Sequence, residues 1–373
     1  MLRRIVLAAP LAVVATAAAA QQTVVVSGPV AGPLIAGNLF LQVELDKNVA
    51  GPAGTGYDPN AYIAHSPLST ALFLNRDWSV QTTLFLDQVQ TPTGAALLQG
   101  QGLYLQQAFV NYDDGRLIAF AGKFNPEFGI FWAMAPGVYG KNLTIADYWL
   151  TEGIGAGVGW SFAGLGRDQV RLSAWFKDNT ALSTSLFDRP PAGSPTTMRP
   201  GRLRLDDGGV GNTPGPTSAT LSWRAQDVGG LAGLQTNVDL ASLDQGAGGT
   251  RRQAMVAIGA QYRIALGGDW SVAPLAEYVG MWNQGGAVDG VVQDRVYASI
   301  GATLDRGPWQ ISAVWGLRNT QGGATSPRNR LYTASVGYTF ANGIGLQVGV
   351  ARQYQNGSNL DTIGGLVTYG YSF

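Results

Sequence analysis

Residues 170–177 read Val-Arg-Leu-Ser-Ala-Trp-Phe-Lys, and apolar side chains alternate with polar ones along this stretch. One face carries Val170, Leu172, Ala174 and Phe176, and the other carries Arg171, Ser173 and Lys177. A period of two predicts a β-strand with one apolar face and one polar face. The same alternation occurs at 39–45, 219–226 and 344–350.

Working outward from these segments, the pattern predicts sixteen strands, at 36–46, 66–74, 77–88, 102–112, 116–124, 152–162, 168–178, 218–226, 233–243, 252–265, 269–282, 292–304, 308–318, 329–340, 343–354 and 360–373. Seven short turns alternate with eight mostly longer loops, of which 125–151 and 179–217 are the longest. This rhythm is typical of an even-stranded up-and-down β-barrel with both termini on the short-turn side.

The composition excludes several classes of function. The chain has 373 residues, with 52 Gly, 24 basic and 24 acidic residues, one His and no Cys. These counts allow no disulfide, no thiolate metal site and no His-based zinc cluster, so we predict no cofactor. The balanced charge and the absence of a basic stripe argue against nucleic acid as a partner.

The first twenty residues have the pattern of a secretory signal peptide. Arg3 and Arg4 precede an apolar run, and Ala17–Ala20 follow it. The alternative, a membrane anchor, needs about 20 apolar residues, which is more than this run supplies. We therefore expect a signal peptide at 1–20 and a single barrel domain at 21–373.

The two faces of the predicted strands favour a barrel in lipid. In a soluble sandwich the outer faces of the strands carry charge. Here the charges lie in the loops and on the strand face that is opposite the apolar one. In a bilayer the apolar face contacts lipid, the polar face lines a wet lumen, and closure leaves no unpaired edge. The predicted fold class is therefore all-β, a transmembrane antiparallel up-and-down β-barrel of about sixteen strands.

Aromatic residues on the apolar parity support this prediction, because amphipathic rings collect at both membrane–water interfaces. The alternative is that they cap a soluble β core. The short-turn belt comprises Trp78, Tyr112, Trp160, Phe162, Trp270, Trp309, Tyr338, Phe340, Tyr369 and Tyr371. The loop-side belt comprises Tyr104, Phe124, Phe176, Tyr278, Trp282, Trp315 and Tyr332.

The last six residues are Thr-Tyr-Gly-Tyr-Ser-Phe, a strand with alternate aromatics and a terminal Phe. This end resembles that of Gram-negative outer-membrane barrels, and the resemblance implies that Tyr369, Tyr371 and Phe373 are read by the barrel assembly machinery. In length and loop rhythm the chain is similar to the sixteen-stranded trimeric porins. Residues 122–129, Gly-Lys-Phe-Asn-Pro-Glu-Phe-Gly, are locally similar to a stretch of phosphate-selective-type porins.

The resemblance implies a bacterial outer-membrane location, long extracellular loops, short periplasmic turns and a homotrimer. It also implies contact with outer-membrane lipid and lipopolysaccharide. The loop 179–217, with six Pro and four Arg, is expected at the cell surface. There it could cover the pore mouth, contact lipopolysaccharide phosphates or latch a neighbouring subunit.

The third long loop, 125–151, is expected to narrow the pore, as the resembled trimeric porins fold this loop into the lumen. The next strand supplies an independent reason, because its lumen parity consists of glycines that permit close approach of another segment. These wall residues are Gly153, Gly155, Gly157 and Gly159. The alternative for the loop is a solvated surface flap.

Strand parity places a charged set inside: Glu44, Asp87, Lys123, Arg171, Lys177, Arg224, Asp239, Arg263, Glu277, Arg295 and Arg318. The loop adds Glu127, Lys141 and Asp147, with Glu152 at its edge. Loop carboxylates facing wall arginines would create a field across the pore, and the excess of wall cations predicts a weak anion preference. The alternative for any one residue is a local ion pair in the wall.

These features predict a porin, a water-filled channel for passive diffusion of small hydrophilic solutes and ions. The runner-up is a substrate-selective, anion-preferring channel. A barrel enzyme is the third alternative, since His65 stands beside Ser66. We interpret His65 as a loop histidine at the start of a strand, because neighbours in sequence do not make a catalytic dyad.

Overall fold

The computed structural model describes residues 24–25, 32–53, 55–90, 94–187, 202–323, 327–355 and 357–373. The predicted signal peptide lies outside these residues. Strands β1 to β10 of the described chain are Leu34–Ala50, Asn60–Ile63, Ser66–Phe73, Trp78–Gln88, Ala96–Leu97, Gln101–Asp113, Leu117–Phe124, Gly153–Ala163, Arg167–Lys177 and Ser218–Gln226. Strands β11 to β19 are Leu234–Leu243, Gln253–Tyr262, Ile264–Gly267, Trp270–Trp282, Asp294–Arg306, Trp309–Gln321, Arg328–Thr339, Ile344–Gln355 and Ser358–Ser372.

In the described ranges these strands form one closed antiparallel barrel. The barrel has sixteen strand positions, called rows, and some rows consist of two consecutive strand segments. Strands β2 and β3 both pair with β1 and share one row. Strands β12 and β13 both pair with β14 and share another, whereas β5 is a two-residue parallel pairing with β2 in a loop. Every predicted strand is present, so the predicted fold class is confirmed.

The barrel closes between the first and last strands. Asn38 of β1 lies opposite Ser372 of β19, and the pairing continues along both strands. Beyond it, the Phe373 N–H donates to the Gly37 carbonyl at 3.0 Å and the Gly37 N–H donates back at 2.9 Å. The C-terminal residue therefore completes the hydrogen-bonded seam, which leaves no open sheet edge there.

The helices of the described chain are short. They are α1, Phe131–Met134, and α2, Ile145–Tyr148, with five single-turn 3₁₀ segments at Ala181–Ser183, Leu205–Asp207, Val228–Gly230, Gln284–Gly286 and Val288–Gly290. No helix in the described ranges is long and apolar enough to cross a bilayer. Both α-helices belong to the third long connection, between β7 and β8.

The outward faces of the strands are apolar. Val158, Ile258, Ile300, Ile311 and Val348 each expose more than half of their surface in the isolated chain. Aromatic side chains are exposed toward both barrel ends, with Trp78, Trp160, Trp270, Trp309 and Tyr371 on the short-turn side and Tyr278, Trp282 and Tyr332 on the loop side. This distribution suits a barrel surrounded by lipid.

Tyr104 and Phe124 were expected in the loop-side belt, and this prediction is wrong. Their side chains are only 6% and 1% exposed and point inward. In β6 a bulge opposite Thr83 and Leu84 inserts Gln106 as an extra residue, which reverses the parity between Tyr104 and Tyr112. In β7, Phe124 pairs with the lumen-facing Gly153 and therefore shares its face.

Candidate functional site: a loop held inside the barrel

Residues 125–151, called the inner loop below, contact inward-facing side chains of strands around the barrel. An apolar cluster joins loop and wall. Its loop members are Phe128, Trp132, Tyr148 and Leu150, and its wall members include Phe109, Phe120, Phe124, Trp175, Met255, Val279, Met281 and Tyr297. Because burial of large apolar side chains is strongly favourable, this cluster holds the loop within the lumen.

Two wall carboxylates bind the backbone of the loop where α1 begins. The Gly129 N–H donates to Asp239 Oδ2 at 2.8 Å. The N–H groups of Ile130 and Phe131 both donate to the carboxylate of Glu277, the second at 3.1 Å. The carboxylates thus satisfy donors that a helix start leaves unpaired.

Glu277 is also the acceptor for the hydroxyl of Tyr148, the last residue of α2. One wall residue therefore fixes both ends of the helical part of the loop. Tyr148 further packs edge-on against Phe128 and against Tyr297 of β15, with ring centroids 6.3 Å and 5.2 Å apart. Glu277 was predicted to line the pore, and here it binds the loop.

Glu127 forms the first charged anchor of the loop. Its Oε1 lies 2.9 Å from Arg171 Nη1 of β9, and its Oε2 lies 3.6 Å from Arg224 Nε of β10. Burial acts to raise the pKa of Glu127, but the two guanidinium groups outweigh it and hold that pKa below its usual value. Glu127 is therefore ionised at neutral pH, and the two arginines share its single negative charge.

Asp147 forms the second charged anchor, on the strands β15 and β16 of the wall. Its Oδ1 lies 3.2 Å from Arg295 Nη1 of β15, and its Oδ2 lies 2.6 Å from Arg318 Nη1 of β16. The Tyr297 hydroxyl donates to Asp147 Oδ2 at 2.8 Å. Charge-assisted hydrogen bonds of this kind are roughly twice as strong as neutral ones.

The tip of the loop reaches β1 and β17. The Tyr139 hydroxyl donates to Asp46 Oδ1 at 2.7 Å, and the Val138 N–H donates to Ser335 Oγ at 3.1 Å. Small wall residues make room for it: a Cβ atom at Gly349 would lie 3.1 Å from the Val138 Cβ, and one at Gly364 would collide with the Tyr139 hydroxyl.

Lys141 follows the tip. Burial lowers its pKa, and the negative charge of Glu44 opposes that shift. Lys177, at the end of β9, is on the lumen parity of Trp175, and a Cβ at Gly211 would lie 3.5 Å from its Cγ. Within the described chain neither lysine has a carboxylate oxygen within ion-pair distance.

Lys123 was predicted to face the lumen by strand parity, and the register places it otherwise. It pairs with Ala108 and Ile154, which alternate with the lumen-facing Phe109 and Gly153, so Lys123 has the outward parity. Its Nζ lies 2.8 Å from Glu152 Oε2 and 2.6 Å from Asp178 Oδ2. Lys123 and Glu152 thus form a buried wall cluster at the root of the inner loop.

The glycine stripe was expected to receive the loop. At Gly153 a Cβ would lie 3.1 Å from Pro126 of the loop. The nearest atoms at the other three positions belong to neighbouring strands, with Phe120 over Gly157 and Arg171 beside Gly159. Large side chains of β7 and β9 therefore fill most of the space that the glycines leave.

His65 and Ser66 have structural partners. The His65 N–H donates to Asp87 Oδ1 at 3.1 Å, and its ring packs against Phe85 and Trp149. Ser66 Oγ accepts from the Gln42 N–H at 2.8 Å and donates to the Ala64 carbonyl at 3.1 Å. Among the described residues, no three His, Cys, Asp or Glu side chains are arranged to hold a metal ion.

Sequence reasoning missed the apolar lining of the lumen. A signal for it exists in β14, where residues 278–282 read Tyr-Val-Gly-Met-Trp without a polar inward residue. A strand that is apolar on both faces is covered on both. Here lipid would cover one face, and the inner loop packs on Val279 and Met281.

Protein-family models give no match, and a search of the curated proteins finds no relative. Solved structures do match. The outer-membrane channel DcaP of Acinetobacter baumannii is 13% identical with a TM-score of 0.64, over 91% of this chain and 98% of that chain. OmpT, an outer-membrane protein of Vibrio cholerae, is 12% identical with a TM-score of 0.57, over 91% and 97%.

An anion-selective porin from Comamonas acidovorans is 11% identical, with a TM-score of 0.53 over 91% of this chain and 99% of that chain. At such low identities the likeness concerns the fold. The chain therefore has the closed sixteen-stranded barrel fold found in outer-membrane porins and channels.

Proposed function

We propose that the protein is an outer-membrane porin that lets small hydrophilic solutes and ions diffuse passively through a channel narrowed by the inner loop. The observation that carries the proposal is the inner loop itself, bound inside a closed barrel by Glu127 and Asp147. A lipid-facing exterior and a charged interior are the two properties that a water-filled pore needs. The shared fold with outer-membrane channels supports it.

The available lumen cations give this channel a weak anion preference. Arg171 and Arg224 share the carboxylate of Glu127, and Arg295 and Arg318 share that of Asp147, so each loop carboxylate offsets one of the two positive charges beside it. Lys141 and Lys177 make no ion pair among the described residues, so their charges remain available to a passing anion. One neighbour in fold is itself named an anion-selective porin.

A substrate-selective channel is the second candidate. It is favoured by the many contacts between the inner loop and the wall, because a loop bound in this way narrows the path through the lumen. A narrow path discriminates among solutes more strongly than a wide one. Enzymatic activity is not part of the proposal. The Ser66 hydroxyl is engaged with backbone groups, which is unlike an activated nucleophile.

We further propose that residues 1–20 are a signal peptide, that residues 21–373 form the barrel domain, and that the protein resides in the bacterial outer membrane as a homotrimer. One neighbour in fold is described as a trimer form. Tyr369, Tyr371 and Phe373 are proposed as the signal for the barrel assembly machinery, and lipopolysaccharide as the surrounding outer-leaflet lipid. The hydrogen-bonded position of Phe373 at the seam supports a role in closing the barrel.

Single-channel recording of the refolded protein in planar bilayers, with reversal potential across a KCl gradient, tests the proposal. Ohmic steps, in threes for a trimer, and slight anion selectivity are expected. A Lys141→Gln, Lys177→Gln double variant should lose that selectivity. Arg306→Gln, at an exposed short turn, is the matched control. Small steps blocked by one solute would favour the selective channel, and a protein without conductance would contradict both.

A further inference from the structure

The chain that precedes β1 lies inside the barrel at Val24. The Val24 N–H donates to Gln81 Oε1 at 3.1 Å, and Gln81 Nε2 donates to the Val24 carbonyl at 3.3 Å. Gln81 is an inward residue of β4, three residues after Trp78 at the short-turn end. Val24 itself is only 4% exposed. Val24 is therefore bound within the lumen, near the mouth on the short-turn side.

The side chain of Gln81 is suited to binding a peptide backbone. Its amide offers one acceptor oxygen and an NH₂ donor, and these satisfy both polar backbone groups of Val24. Gln81 Nε2 also donates to Ser79 Oγ at 3.0 Å, which fixes the orientation of the amide. Because only backbone atoms of Val24 take part, the contact recognises the main chain rather than a particular side chain.

The burial of Ser79 shows that the chain around Val24 covers this part of the wall. In three strands a Trp at the short-turn end is followed by an inward polar residue: Ser79 after Trp78, Ser271 after Trp270 and Gln310 after Trp309. Ser79 is 3% exposed, whereas Ser271 and Gln310 are only partly buried. A water-filled mouth leaves such residues partly exposed, so we attribute the burial of Ser79 to the bound segment.

Val24 is tethered close to its binding position. Leu34 of β1, Phe73 of β3 and Ser79 of β4 are register partners across three neighbouring rows. Rows of a sheet are about 4.8 Å apart, so the start of β1 lies about 10 Å from Ser79. Val24 precedes Leu34 by ten residues, and a tether of this length keeps the local concentration of the segment high. Two hydrogen bonds therefore suffice to hold it.

We propose that Gln81 forms a binding site for peptide backbone inside the lumen, that its ligand is the segment of this chain around Val24, and that the bound segment obstructs part of the short-turn mouth. Val25 is 74% exposed and is the side chain that the segment presents to water. Release of the segment would widen the mouth and raise the conductance. The obstruction rests on the proposed conduction, whereas the binding of the segment does not.

Thiol labelling tests the binding site, because the chain has no Cys of its own. Val24→Cys and Val25→Cys are made in the full-length protein, refolded, checked for heat-modifiable migration on gels, and treated with a water-soluble methanethiosulfonate reagent. The thiol of Val24→Cys should react about tenfold more slowly than that of Val25→Cys, since the two hydrogen bonds keep it buried.

Adding Gln81→Met should abolish this protection, because Met keeps the length of the side chain and removes both hydrogen bonds. Gln310→Met is the matched control: Gln310 is an inward glutamine at the same end of the barrel, and it binds Asp305. Equal labelling of Val24→Cys and Val25→Cys, or protection that persists with Gln81→Met, would overturn the binding site.

Planar-bilayer recording tests the obstruction. Val24→Pro, which lacks the N–H donor, and Gln81→Met should both conduct more than wild type and Gln310→Met. Modification of Val25→Cys should lower the conductance, whereas modification of Leu165→Cys, at an exposed short turn outside the lumen, should leave it unchanged. A protected Val24→Cys thiol together with unchanged conductance in Val24→Pro would overturn the obstruction. A protein without conductance would contradict the porin proposal, and the labelling rates would still decide the binding site.

Discussion

Arg318 of the wall and Asp147 of the inner loop are joined by a 2.6 Å contact between Nη1 and Oδ2, although 171 residues separate them in sequence. Arg295 and the Tyr297 hydroxyl bind the same carboxylate. Asp147 thus connects the loop to two adjacent strands of the wall.

Asp147→Asn should loosen this part of the loop and leave two arginines without their counter-charge. Each charge-assisted bond contributes about 2 kcal/mol. Loss of the bonds to Arg295 and Arg318 should therefore let the loop leave its position on the wall more often. We expect noisier and larger conductance steps and a reversal potential shifted toward anion preference. Asp269→Asn removes an exposed turn ion pair and is the control. Unchanged recordings in Asp147→Asn would show that this anchor does not shape the pore.

Acidification should release the Glu127 anchor. Its pKa is lowered in the structure by Arg171 and Arg224 against the effect of burial. The anchor is therefore complete above the ordinary Glu pKa of about 4.3 and is lost as the pH falls through the lowered value. Conductance should stay constant from neutral pH down to that region and change below it. Glu127→Gln should lack this transition, and an identical pH profile in both proteins would refute the assignment.

Gly137→Ala should displace the tip of the inner loop. Gly137 has a φ of +81°, and an added Cβ would lie 2.7 Å from the hydroxyls of Ser312 and Ser335. The variant should fold as a barrel, judged by heat-modifiable migration on gels, but show altered conductance. Gly209→Ala carries the same backbone strain at φ +85° with open space around it. If Gly137→Ala and Gly209→Ala changed the conductance equally, backbone strain alone would explain the effect and the contact with the two serines would not.

Gly37→Val should weaken the seam. A Cβ at Gly37 would collide with the ring of Phe373, whose backbone bonds to Gly37 close the barrel. Overpacking of this kind costs about 1–3 kcal/mol, so the folded band on gels should convert to the unfolded one at a lower temperature. Gly370→Val, where a Cβ meets open space, should leave that temperature unchanged. Equal stability of both variants would contradict a role for this contact.

The strands could be predicted from sequence because lipid and lumen impose opposite polarity on successive residues, as in Val170 to Lys177. The direction of the side chains was predicted wrongly in β6 and β7. The bulge at Gln106 reverses Tyr104. In β7 no register shift occurs, but the strand is apolar on both faces, and only its pairing with Ala108 and Ile154 shows that Lys123 faces outward.

The anchors of the inner loop could not be paired from sequence. Glu127 and Asp147 were recognised as loop charges, but their partners are 44 to 171 residues away and depend on where the loop enters the lumen. The apolar cluster was missed because Val279 and Met281 occupy inward positions that a wet lumen would fill with polar groups.

The seam between β1 and β19 also bears on the expected order of folding. Asn38 and Ser372 meet across 334 residues, whereas the inner loop meets its wall strands across 146 to 197 residues. The inner loop emerges well before the wall strands β14 to β17 that hold it. Contacts of such long range form slowly. The inner loop is therefore expected to recruit its wall strands before the seam closes, which would make it a template for barrel assembly.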